Sequence, residues 1–342
     1  MSQSRPIIGI TMGDPCGIGA EIIVKALADP ELRRCARFVV FGLSEQLAYT
    51  ADRLEADFAF FRDHHEDIRR YRQDLVVLDY DEISVPAAMQ RGPSRVGGQA
   101  SLRFIEDAVA AALDGTIDAL VTAPISKTSW TLAGAKEFPG HTELLAKRCK
   151  CKRVAMMFVC PQLRVVLATI HEPLAQVPNR FNIGVVFNPI DLAHRALTEW
   201  FAVENPRIAV AGLNPHAGED GRFGDEEHRV IEPAILMAKE AGINVAGPFP
   251  ADTLFVQALD GRYDCVVAMY HDQGLIPVKL LAWNQTVNLT LGLPIVRTSP
   301  GHGTAFDIAG KNIADPSSLL AAIRLAIQLA NRRTAIAKRA NP

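Results

Sequence analysis

The chain has 342 residues, half of them apolar (49%), with 36 Lys and Arg set against 38 Asp and Glu for a net charge of −2. That balance gives no electrostatic case for nucleic acid or an anionic membrane surface, and six cysteines at 16, 35, 149, 151, 160 and 265 form no Cys-x-x-Cys pair, which argues against a disulfide framework or a thiolate zinc site. No apolar run is long enough to span a bilayer and no signal-peptide pattern precedes the first strand, so the expectation is a cytoplasmic chain of roughly two domains.

Strand-like apolar runs alternate with helix-period segments along the sequence. Residues 7–12 read as a strand and 20–28 as a helix; 38–42 and 75–78 follow as strands, with helices over 44–54 and 99–113. Residues 119–122 are a further strand, 142–148 a helix, and 154–159 with 163–170 a hairpin turning over Cys160-Pro161-Gln162. Later strands are expected at 208–213, 265–270, 287–291 and 294–296. This alternation implies an α/β fold with a large, mixed, mostly parallel sheet. No linker or repeat separates two domains, which fits two lobes between which the chain crosses more than once.

Three histidines each follow a buried strand: His171 after 165–170, His216 after 208–213 and Asn214-Pro215, and His271 after 265–270. Loops at the carboxyl ends of strands in an open α/β sheet line the ligand crevice, so these imidazoles can converge. A set of three suits zinc or a similar divalent ion with an open coordination position. The remaining histidines lack this placement. His64 and His65 read as part of a solvated surface, and His194 and His228 as polar positions of helices.

Gly13-Asp14-Pro15-Cys16-Gly17-Ile18-Gly19 joins the first strand to the first helix without the spacing of a dinucleotide fingerprint. It is either an anion-binding turn or simply a tight connection. Pro139-Gly140-His141-Thr142-Glu143 reads as a helix start with Thr142 as N-cap. The basic run 147–153 reads as a solvated helix end. Lys279, Asn288 and Arg297 stand in an otherwise apolar stretch and read as ends of strands facing water, unless they are buried, where a cation calls for a compensating anion.

Five motifs in order, at Gly13 to Gly19, Pro139 to Glu143, Leu213 to Glu219, Met269 to Gly274 and His302 to Ala305, resemble the 4-hydroxythreonine-4-phosphate dehydrogenase family over nearly the whole chain. The resemblance implies metal ligands at His171, His216 and His271, and substrate contacts from His141, Thr142, Lys279, Asn288 and Arg297. It also implies a homodimer with the active site at the subunit interface, so that the three histidines can come from two chains. Residues 302–310 further resemble the adenosine-binding loop of isopropylmalate and isocitrate dehydrogenases. That likeness implies their two-lobed fold with an interdomain active-site cleft, and cofactor contacts from His302, Gly303, Thr304 and Asp307. The implied lobes are 1–126 plus 283–342 on the cofactor side, and 127–282 carrying the metal, substrate and dimerisation surfaces. Pro300-Gly301 replaces the aspartate that commonly precedes the family's histidine, which leaves NAD and NADP both open.

The implied activity is NAD(P)- and metal-dependent oxidation of 4-phosphooxy-L-threonine, with zinc, magnesium, cobalt or manganese as the ion. The product, 2-amino-3-oxo-4-phosphooxybutanoate, decarboxylates to 3-amino-2-oxopropyl phosphate in pyridoxine 5′-phosphate biosynthesis. Asp252 and Asp272 are candidate proton acceptors, and either can instead orient a metal-bound histidine. The alternatives are a paralogue acting on 4-phospho-D-threonate, 4-phospho-D-erythronate or a cis-dihydrodiol carboxylate, and a metal-dependent hydrolase.

Overall fold

The structure is a computed structural model that describes residues 5–85 and 91–340. Its strands are β1 (Ile7–Thr11), β2 (Arg37–Gly42), β3 (Phe61–His64), β4 (Leu75–Asp79), β5 (Ala119–Thr122), β6 (Ala155–Val159), β7 (Arg164–Leu167), β8 (Ile208–Ala211), β9 (Val245–Phe249), β10 (Cys265–Ala268), β11 (Val287–Leu291) and β12 (Arg297–Pro300). The chain forms two compact units, one of residues 1–151 and 293–342, the other of 152–292. The boundaries expected from the sequence were 126/127 and 282/283. In the structure the helices Lys127–Leu132 and His141–Arg148 pack on the helix Arg95–Leu113 and so belong with the first unit.

In the first unit the strands run β3-β4-β2-β1-β5-β12, all parallel. β1, β4 and β5 are buried at every position, as expected where helices cover both faces of a parallel sheet. From β1 the chain adds β2, then the edge strand β3, then β4 between them, and returns to place β5 on the other side of β1. The topological switch point therefore lies at the carboxyl ends of β1 and β5.

The second unit orders its strands β11-β6-β7-β10-β8-β9. β6 is antiparallel to both β11 and β7, while β7, β10, β8 and β9 are mutually parallel. The expected hairpin is present: Cys160 N donates to Leu163 O across the turn at 2.9 Å. The core beneath includes Met156, Phe158, Val165, Leu167, Val266, Leu254, Leu275 and Val278. Together the two units give the α/β, mixed and mostly parallel architecture that the alternation of elements implied.

Two local expectations need correction. Residues 61–65 are not simply a solvated surface: 61–64 form the edge strand β3, and His65 is buried at 6% exposure against Tyr80. The last strand begins at Arg297 and replaces the one expected at 294–296, because only from there do the residues pair with β5.

Candidate functional site

The three strand-end histidines follow three strands that are direct neighbours, β7, β10 and β8, all pointing the same way. His171 lies in the loop after β7, His216 in the loop after β8, and His271 opens the helix His271–Ala282 after β10. The rings of His171 and His271 are 6.0 Å apart, whereas that of His216 lies 6.0 Å from Phe223. Among the described residues, these three histidines do not bring one ligand atom each to within 4.8 Å of one another. His64, His65 and Glu82 do.

The loop carrying His216 is built against the intrinsic preference of its backbone. His216 and Ala217 both adopt left-handed conformations, at φ 53° and 52°, as do Glu219 and Asp220. Such residues cost about 1–3 kcal/mol each and persist only where the surroundings impose them. Here the constraint is Glu227, 1% exposed, whose Oε1 accepts the Leu213 and Asn214 amides, each at 2.8 Å. Its Oε2 accepts Asn214 Nδ2 at 2.9 Å. Gly218, at φ 83°, leaves room for that carboxylate, since a Cβ there would stand 2.8 Å from Oε2. Glu227 begins a single π-turn, Glu227–Ile231, an irregularity frequent at functional sites. No motif reading found it, because its role depends on that extra residue in the helix. The one available signal was a glutamate pair, Glu226-Glu227, close behind a glycine-rich loop.

Gln273 ties this loop to the third histidine. Its Nε2 donates to Gly212 O at 2.8 Å, and its Oε1 accepts Met269 N at 2.6 Å. One side chain thus fixes the exits of β8 and β10. His271 Nδ1 lies 2.6 Å from Asp272 Oδ1, which leaves Nε2 as its available ligand atom. Asp252 is exposed in the first turn of the helix Ala251–Leu259. In the same unit Lys279 Nζ lies 5.1 Å from the centre of the Trp283 ring, and Asn288 Oδ1 is buried without a hydrogen-bond partner.

The first unit gathers Arg297, His141 and Thr142. Arg297 is 2% exposed and donates to Thr122 Oγ1 at 2.6 Å. Burial draws its guanidinium down to about 9, and the carboxylate of Glu143 partly opposes this. It remains charged at neutral pH. His141 stands edge-on to Trp130 with ring centres 5.6 Å apart, and its Nε2 is buried without a hydrogen-bond partner. Burial, then the Arg297 cation, hold His141 well below the usual histidine range, so the ring is neutral. Thr142 is 5% exposed and does not cap the helix. The N-cap is Gly140, one residue before His141, so Thr142 lies inside the first turn. A buried cation, a neutral imidazole with an unused nitrogen and a helix start are groups with the chemistry to hold an anion.

The Gly13 to Gly19 turn does not serve as an anion nest. Four of its amides are committed to the protein itself: Asp14 N bonds Pro124 O, Cys16 N the Asp14 carboxylate, Gly17 N Asp14 O, and Ile18 N Thr304 O. Gly17 is required by close approach, since a Cβ would meet Thr304 O at 2.9 Å. Asp14 is fully buried, accepts the Ser129 hydroxyl at 2.6 Å, and is raised above the ordinary carboxyl value by that burial. The turn therefore supports the 302–312 loop. Glu21 and Lys25, on the helix Gly19–Leu27, hold the loop's far end: Glu21 Oε1 accepts Ala314 N at 2.7 Å, and Lys25 Nζ donates to Asn312 O and Ala314 O at 3.0 and 2.7 Å. Within the loop, His302 Nδ1 lies 3.0 Å from Gly303 O and its Nε2 is buried without a partner, while Gly303 and Asp307 are exposed and Thr304 half-buried.

The family model for the pyridoxal phosphate biosynthetic protein PdxA matches residues 33–326. The chain belongs to the PdxA family. It is 47% identical over 329 residues to the 4-hydroxythreonine-4-phosphate dehydrogenase of Desulforapulum autotrophicum, covering 95% of this chain and 96% of that one. It is 45% identical to the D-threonate 4-phosphate dehydrogenase of Cupriavidus necator, covering 97% and 100%. The crystal structure of the 4-hydroxythreonine-4-phosphate dehydrogenase of Klebsiella pneumoniae superposes with a TM-score of 0.87 at 40% identity, covering 97% of this chain and all of that one. This member of the PdxA family is accordingly an oxidoreductase. No helix among its described residues is long and apolar enough to cross a membrane.

Proposed function

We propose that this PdxA-family enzyme oxidises the secondary alcohol of 4-phosphooxy-L-threonine in the cytoplasm, with NAD or NADP as hydride acceptor. The observation that carries the reading is the buried Arg297 cation beside the neutral His141 and the helix start at Thr142, a pocket chemistry suited to a phosphate or carboxylate. Arg297, a planar donor fixed by Thr122, holds the anion, and His141 adds an uncharged contact. Lys279 and Asn288 are assigned to the same substrate. Fixing the anion away from the reacting carbon orients the hydroxyl for proton and hydride loss.

His171, His216 and His271 are assigned to a divalent metal, which would draw them closer than they stand within this one chain: the imidazoles follow adjacent parallel strands, and Asp272 engages Nδ1 of His271, leaving Nε2 as its ligand atom. When bound, such an ion lowers the pKa of a hydroxyl. With Asp272 committed to His271, Asp252 is left as the acceptor of the hydroxyl proton. His302, with its buried unused Nε2, Gly303, Thr304 and Asp307 are assigned to the cofactor. The keto acid formed is a β-keto acid and loses carbon dioxide.

The active form is read as a homodimer. Ile276, Leu280 and Trp283, 58%, 82% and 65% exposed, follow one another around the helix that begins at His271 and its continuation. An exposed apolar row on the helix that opens with His271 fits a second copy of the chain.

The relative acting on D-threonate 4-phosphate favours a second reading, in which the same pocket takes the D-acid. Nicotinamide reduction by zinc-loaded protein, with each phosphorylated acid and each cofactor, decides. Turnover of the L-threonine compound alone supports the first reading, preference for the D-acid replaces it, and silence with both removes the phosphate assignment.

A further inference from the structure

A second cluster of metal-binding side chains lies at the carboxyl ends of β3 and β4, and the reaction above makes no use of it. The His65 ring is stacked on Tyr80, with centres 4.2 Å apart and planes within 5°. Its Nδ1 lies 3.4 Å from Asp107 Oδ2, which also accepts the Tyr80 hydroxyl at 3.0 Å and Arg103 Nε at 3.1 Å. With the imidazole proton on Nδ1, facing Asp107, Nε2 presents a lone pair on the other side, the arrangement typical of metal-bound histidine. That lone pair meets Glu82 Oε1 at 3.1 Å. In that tautomer a cation between the two serves both.

A proton on His65 would satisfy that pair and leave His64 without a part. Yet one ligand atom from each of His64, His65 and Glu82 lies within 4.8 Å of the others, and the two imidazoles have centres 4.5 Å apart. Ligand bonds of about 2.0–2.2 Å to zinc place neighbouring donor atoms roughly 3.3 Å apart in a tetrahedral shell, close to the His65–Glu82 separation. Asp81 lies 3.6 Å from His64 Nε2 and 3.6 Å from Arg62, Glu66 lies 4.0 Å from His64 Nδ1, and Asp107 is shared with Arg103. His64 Nδ1 now accepts the Glu66 amide at 3.3 Å, a long contact given up if the proton moves to Nδ1 and frees Nε2.

We propose that His64, His65 and Glu82 form a second divalent-cation site, independent of the strand-end histidines, with Asp107 positioning His65. Two imidazoles and a carboxylate select zinc, nickel or copper over magnesium or calcium. An ion there ties the edge strand β3 to the end of β4 and, through Asp107, to the helix Arg95–Leu113.

The test is a zinc titration against a chromophoric chelator, with the metal alone as probe. The His171→Ala/His216→Ala chain, disabled at the strand-end site, is expected to retain one zinc equivalent per chain. Adding Glu82→Ala or His64→Ala, both at partly exposed positions, should abolish that equivalent. Asp107→Asn should weaken it by about 10–100-fold. Thermal unfolding without metal reports whether each variant is folded, and zinc should raise the unfolding temperature only where the cluster is intact. Absence of the equivalent from the His171→Ala/His216→Ala chain, or its survival in folded Glu82→Ala and His64→Ala chains, overturns the proposal.

Discussion

Asp272 Oδ1 lies 2.6 Å from Nδ1 of His271, the residue before it in the chain. The carboxylate fixes the imidazole tautomer, so its expected effect is on metal affinity more than on proton transfer. Asp272→Asn should weaken zinc binding at the strand-end histidines by about 10-fold or more. A chelator competition reads this directly. Unchanged zinc affinity together with collapsed turnover would return Asp272 to the role of proton acceptor.

Glu227 should matter to the same histidines although it ligates nothing. Glu227→Gln places an amide NH₂ against groups that already donate, and leaving a buried donor unpaired costs about 1–3 kcal/mol. Denaturant unfolding should show that loss, and zinc affinity should fall with it as the His216 loop relaxes. A stability loss with zinc affinity intact would mean that the loop holds its shape without Glu227.

The strain at Ala217 is open to separate measurement. Glycine adopts φ 52° without steric penalty. Set against its greater unfolded-state entropy, Ala217→Gly should stabilise the chain by about 0.5–1 kcal/mol. Equal or lower stability would show that the left-handed turn carries no strain at this residue.

Arg297→Ala should raise KM for a phosphorylated substrate by about 10–100-fold, the value of a charge-assisted hydrogen bond of about 1.5–3 kcal/mol. The dephosphorylated analogue should be affected far less. Equal losses for the two substrates would remove Arg297 from phosphate recognition.

His141 predicts a pH dependence with a definite sign. Burial and the Arg297 cation depress it in the folded state, so the unfolded chain binds a proton first as pH falls. Stability from this group is full above about pH 6.5, the unfolded value, and declines below it until the folded ring also protonates. Denaturant midpoints of wild type and His141→Asn between about pH 5 and 7.5 should converge on acidification. Parallel profiles would show that His141 is not held neutral.

The strand-end placement of the three histidines could be read from the sequence because they follow apolar runs, and strand order sets β7, β10 and β8 side by side. The residues behind them could not be read in this way. Glu227 acts through a π-turn that no residue pattern announces, and Gln273 acts through two backbone groups supplied by different loops. His65 looked solvated because its neighbours are charged, yet those charges are its partners. The glycine turn looked open to an anion because glycine marks close approach without saying what approaches. Here it is Thr304.

The hydrogen bonds from Ile18 N to Thr304 O, from Lys25 to Asn312 O and Ala314 O, and from Ala314 N to Glu21 join the turn, the first helix and the 302–314 loop at both ends of that loop. These segments are far apart in sequence but mechanically continuous, so the loop cannot swing on its own. If the cofactor assigned to this loop binds there, any movement that admits or releases it would carry the first helix along, and a substitution on that helix, well outside the loop, would alter how fast the cofactor leaves.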